Sequence, residues 1–151
     1  LLRRRVDSCV CVCVCVCMLA LCAVVALLVR GPPGCALLAA ARAGDANEID
    51  RICAANPGLD TNMALCTAAA FNRIGAMERL EGAGAADTNA AMIQASIRDH
   101  PQALRWLMDS SRVHAATNLA EAARFASATN SVQAEWTLCS EIRKREFAGP
   151  T

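Results

Sequence analysis

Ten cysteines and two histidines are the residues of this 151-residue chain best suited to chemistry, and half of the cysteines fall in one run. Cys9, Cys11, Cys13, Cys15 and Cys17 alternate with valine. Thiolates at Cys-x-Cys spacing ligate soft ions, so metal binding is one reading of the run. Alternating TGT and GTG codons encode the same pattern, so a TG dinucleotide tract produces it with no demand on the protein. Low complexity within a membrane segment, or a mispredicted upstream exon, is the preferred reading, ahead of metal binding and cysteine acylation. The other cysteines that matter, Cys35, Cys53, Cys66 and Cys139, form no Cys-x-x-Cys pair, and no histidine stands at zinc-finger spacing. No metal site is expected from them. They read as buried thiols that pack as small hydrophobes.

Catalytic constellations are missing. His114 has Asp109, Ser110 and Ser111 nearby in sequence, but no nucleophile motif surrounds them. There is no glycine-rich phosphate loop. Asp45, Glu48 and Asp50 form an acidic helix start whose simplest role is to complement the helix dipole. The expectation is a non-catalytic protein with no cofactor.

The elements that carry these residues divide the chain. Cys9 to Val29 is a stretch of 21 residues without a charge, preceded by Arg3, Arg4 and Arg5 and followed by Arg30. As a helix it spans about 32 Å, against a hydrocarbon core of roughly 30 Å. A membrane-spanning helix or signal anchor over residues 1–30 is therefore expected, with a cleaved signal peptide as the alternative. Arg30, Arg42 and Arg51 balance the leading arginines, so the orientation stays open. The chain starts with leucine and is expected to be a fragment, a processed product or a partial gene model. Gly31-Pro32-Pro33-Gly34 breaks the helix and reads as a linker. The formal net charge of +1 gives no argument for nucleic acid. Alanine is abundant, tyrosine is absent, and the bulky β-forming runs of an all-β protein are missing beyond the N-terminus.

From residue 35 to residue 141 the chain repeats. Leu37, Leu65, Met92 and Leu119 start four copies, 28, 27 and 27 residues apart. Alanine follows three residues on (Ala40, Ala68, Ala95, Ala122) and a small residue comes next (Ala41, Ala69, Ser96, Ala123). Offsets of three and four keep these on one helix face. The turns Gly44-Asp45, Asn72-Arg73 and Asp99-His100 follow, and then a second helix with Ile49 and Ile52, Met77 and Leu80, Leu104 and Leu107. In the fourth copy the second helix slips by about one residue, with Val132 and Trp136 expected at the apolar places. Such periodicity means stacked helix pairs, with an atypical terminal unit acting as a cap. Residues 142–151, with Arg143, Lys144 and Arg145, form a basic tail expected to complement the last helix's dipole.

At Leu37-x-x-Ala40-Ala41-x-x-Gly44-Asp45, at Gly84-Ala85-Ala86-Asp87, and at Met92, Ala95 and His100, the chain resembles ankyrin repeats. The Thr-Pro signature of that family is absent, and the period of about 27 falls short of about 33. The resemblance implies an all-α, ankyrin-like helix-turn-helix solenoid of four short repeats with trimmed hairpin fingers. It also implies a turn hydrogen bond for His100, and a binding surface on the first helices. The exposed places there, five and six residues after each starter, hold Arg42 and Ala43, Ala70 and Phe71, Ile97 and Arg98, Arg124 and Phe125. Arg42, Phe71, Arg98 and Arg124 are the candidate contact residues. A phenylalanine packed under the turn beside solvated arginines is the plainer alternative. The expected function is a protein–protein interaction scaffold, monomeric, with an unknown protein partner and a tether to the membrane through residues 9–29. If the N-terminal segment is mispredicted, the protein is cytoplasmic instead. A degenerate structural membrane protein, or the binding portion of a larger protein, is the alternative function.

Overall fold

A computed structural model describes residues 31–109 and 116–148. The expected apolar helix and the Cys-Val run lie outside them. The described part is helical, in the order α1 (Pro33–Ala43), α2 (Ala46–Ala55), α3 (Asn62–Ala70), α4 (Ile74–Gly82), α5 (Thr88–Ile97), α6 (Pro101–Asp109), α7 (Ala116–Ala128) and α8 (Val132–Ala148), with no strand among the described residues. Each odd-numbered helix packs on the even one that follows it. The odd helices also pack in sequence, α1 on α3 on α5 on α7, and the even ones likewise, α2 on α4 on α6 on α8. Four helix pairs thus stack in two layers.

The repeated apolar residues are what the layers share. Leu37, Leu65, Met92 and Leu119 from the first layer and Ile49, Met77 and Leu104 from the second are all essentially inaccessible to solvent. Small side chains fill the places between first helices: Ala40, Ala41, Ala68, Ala69 and Ala95 are buried, and so is Ser96. Alanine there favours the helix and lets neighbouring backbones approach. Ser96 fits the same space because its hydroxyl donates to Met92 O at 2.7 Å, which satisfies the buried oxygen.

The boundaries follow from local chemistry. Pro32 and Pro33 begin α1, so the Gly/Pro linker supplies its cap and first turn. Residues 142–148 continue α8, which places Arg145 in its last turn. The connections at 56–61 and 83–87 replace any hairpin finger.

The fourth unit corrects the sequence reading. Its turn residue with positive φ is Asn130, the counterpart of Gly44, Asn72 and Asp99. Ser131 N donates to Ala126 O there, as Arg73 N does to Ala68 O and His100 N to Ala95 O. Ala126, not Ala122, is therefore the counterpart of Ala95. The first helix of this unit is one turn longer, and the Leu119 motif sits one turn before the place it takes in the other copies. Four residues are close to one helical turn, so Leu119 and Ala122 still face the core. Past the turn, Ala134 and Leu138 are buried, whereas Val132 and Trp136 are 65% and 68% exposed. Val132 and Trp136 were expected inside and lie outside.

Candidate functional site

The turns between paired helices line one edge of the stack and are bonded to one another. Gly44, Asn72, Asp99 and Asn130 all have φ between 54° and 83°, a left-handed conformation that glycine, asparagine and aspartate adopt most readily. The residue after each one closes the first helix, as in a Schellman motif. From the second unit on, its side chain also reaches back to the preceding unit. Arg73 Nε donates to Arg42 O at 3.1 Å, His100 Nε2 to Ala70 O at 3.1 Å, and Ser131 Oγ to Ile97 O at 3.2 Å. The acceptors are corresponding carbonyls, each two residues before its turn. Because a carbonyl only accepts, His100 carries its proton on Nε2.

The left-handed residue itself reaches forward. Asn72 Oδ1 accepts from Ala103 N at 3.1 Å, and Asp99 Oδ1 accepts from Ala134 N at 2.7 Å. These are third-residue amides of α6 and α8, among the N–H groups that a helix leaves unbonded. Two second helices are thus capped by the unit before them. α2 is capped by its own Asp45, which accepts from Glu48 N at 3.1 Å. α4 has no side-chain cap, since the preceding turn residue is Gly44. An added Cβ on Gly44 would stand 3.0 Å from Arg73 Cδ, so the stem of Arg73 occupies the space a longer residue would need.

The candidate contact residues divide. Arg42 and Arg98 both lie over the ring of Phe71, their guanidinium carbons 4.8 and 5.5 Å from its centroid. Three units thereby meet at one exposed point: Arg42 comes from the first, Phe71 from the second and Arg98 from the third. Phe71 is half-buried and within reach of both cations, not sealed under the turn. Arg124 does not join them. The extra turn of α7 puts it six residues before Asn130, where Arg42, Phe71 and Arg98 stand one or two residues before their turns, and it is exposed on α7. Phe125 is 39% exposed beside it. The polar triplet Thr129-Asn130-Ser131 was the sequence signal for the true turn.

Beside Phe71 a groove of about 360 Å³ runs between α3 and α5, lined by Met63, Cys66, Thr67, Ala70, Gln94 and Arg98 among others. Burial, with the nearby Asp87 charge second, pushes the Cys66 thiol above its ordinary range. Burial and Asp50 do the same for Cys53. Both favour the neutral thiol, which is a poor nucleophile and a poor metal ligand. Among the described residues no cluster of histidine, cysteine or carboxylate side chains is arranged to hold a metal ion. No described helix is long and apolar enough to cross a membrane. Compared with protein-family models, curated proteins and solved structures, the chain matches none.

Proposed function

We propose that this chain is a protein-interaction scaffold: a short, ankyrin-like solenoid, non-catalytic and monomeric, whose first-helix layer docks a protein partner on its concave side. The observation that carries this reading is the convergence of Arg42, Phe71 and Arg98 from three successive units on one exposed point. The core does not require it, since the buried leucines, methionines and alanines already join those units. Arginine and aromatic side chains beside a groove are the usual anchors of protein interfaces. On the same reading residues 9–29 tether the scaffold to a membrane, and carbonate extraction tests that part separately: release into the soluble fraction rejects an integral helix.

For the docking face, the variant Phe71→Ala/Arg98→Ala is expected to keep the helical circular dichroism of the parent. It is expected to lose at least about tenfold in affinity for any protein that the parent binds, as removal of an interface anchor does. Unchanged affinity in a folded double variant rejects this face.

A further inference from the structure

Three features of the Arg42–Phe71–Arg98 stack point to the chemistry of its occupant. The first is uncompensated charge. The ion pairs among the described residues use Arg51, Arg79, Lys144 and Arg145, and neither Arg42 nor Arg98 has a carboxylate partner there. The second is segregation. Helices α1, α3 and α5 contain no aspartate or glutamate, whereas the second helices carry Glu48 and Asp50 in α2, Glu78 and Glu81 in α4, and Asp109 in α6. Of the acids that flank this layer, Asp60 and Asp87 stand just before α3 and α5, whereas Phe71 follows the last residue of α3, and the turn residues Asp45 and Asp99 accept from Glu48 N and Ala134 N. The third is the use of the guanidinium. Over an aromatic face it engages the ring electrostatically, while its in-plane N–H donors remain free for a planar acceptor.

We propose that this stack reads carboxylate: the occupant is an acidic peptide segment of a partner protein. An aspartate or glutamate side chain sits between the guanidinium groups of Arg42 and Arg98. An adjoining apolar side chain enters the groove between α3 and α5, beside Met63 and Cys66. Two cations held near one ring repel each other, and an anion between them relieves that repulsion while forming charge-assisted hydrogen bonds. A nucleic-acid backbone fits less well, because the chain has a formal net charge of only +1 and Arg124, an exposed arginine of the same layer, stands apart from the stack. This inference rests on the docking face proposed above and adds the class of ligand.

The test is selection of random dodecapeptides displayed on phage against the biotinylated full chain, followed by affinity measurements on the recovered peptides. Aspartate and glutamate next to an apolar residue are expected to be enriched. Each of Arg42→Gln and Arg98→Gln should weaken those peptides about tenfold, as loss of a hydrogen bond to a charged group does. Arg51→Gln, whose partner is Glu48 on the other layer, should leave binding unchanged. Arg42→Glu/Arg98→Glu should select basic peptides instead. Circular dichroism and thermal melting confirm that each variant is folded. Peptides without acidic enrichment that still lose affinity to Phe71→Ala overturn the carboxylate assignment and leave the docking face standing. Peptides insensitive to all of these changes, or no peptides at all, overturn both. A twelve-nucleotide oligothymidine bound as tightly as the best peptide overturns the peptide class.

Discussion

Asn72 holds a left-handed backbone and, with the same side chain, bonds the start of the next unit's second helix. Replacing it with alanine removes both: about 1 kcal/mol for the left-handed conformation and about 1–3 kcal/mol for the stranded Ala103 amide. Asn72→Gly removes only the second. Urea denaturation should therefore rank the two variants with glycine the milder, and equal midpoints would mean that the left-handed conformation contributes nothing. The thiols give a second residue-scale expectation. Among the cysteines of the described residues, iodoacetamide at pH 8 should label the exposed Cys35 and Cys139 first and Cys66 last, read by mass spectrometry of peptides. Raised thiol pKa values mean that folding favours the protonated form. Stability from Cys53 and Cys66 is thus full below the ordinary thiol range, about pH 8.5, and falls as pH rises through their folded values. With no tyrosine and a single lysine in the chain, cysteine is the residue type that dominates titration in that range. Denaturation midpoints should decline from pH 8.5 to 10.5, and Cys66→Ala should flatten that decline. At this scale the sequence was legible for His100 only in part: the resemblance implied a turn hydrogen bond, and the ring instead reaches Ala70 O in the preceding unit. It was not legible for Phe71, because hydropathy cannot tell a ring packed under a turn from one that meets two arginines of neighbouring units.

At the scale of elements, seven of the described helices follow the repeat read from the chain, and the last begins elsewhere. Periodicity placed the fourth unit by Leu119, Ala122 and Ala123, and a helix lengthened by one turn keeps all of those on the same face. The pattern therefore survives an insertion that moves everything after it. Val132 and Trp136 are large and apolar and so fit a buried place by hydropathy, but the turn at Asn130 fixes the rotation of α8 and points them outward. The corrected register has a direct check. Leu138→Ala should cost about 2–5 kcal/mol, as for a fully buried leucine. Trp136→Ser, on an exposed face, should change stability by no more than about 0.5 kcal/mol. The reverse order in chemical denaturation would restore the original placement.

For the whole molecule, the junctions between units differ although the helices they join are alike. The first uses Gly44 with Arg73 and leaves α4 without a side-chain cap; the second uses Asn72 with His100 and caps α6. Gly44→Asn alone should gain little, because the added side chain meets the Arg73 stem. Gly44→Asn with Arg73→His recreates the second junction and should stabilise by about 1 kcal/mol, the usual value of a helix cap. The difference between the double variant and the two single ones, read as a double-mutant cycle, measures that coupling. The stacking of helix pairs was foreseeable from spacing alone, since an apolar face repeated every 27 or 28 residues has to be covered by its neighbour. These bonds were not, because they join side chains to backbone groups some thirty residues away and leave no periodic mark in hydropathy. They also give the stack a direction in time. Asn72 and Asp99 precede in the chain the helices whose first amides they receive. On a ribosome each of these residues leaves the exit tunnel before the helix it serves. A second helix emerges onto a neighbour that already offers its acceptor, so synthesis from the N-terminus delivers the parts in the order in which they can be used.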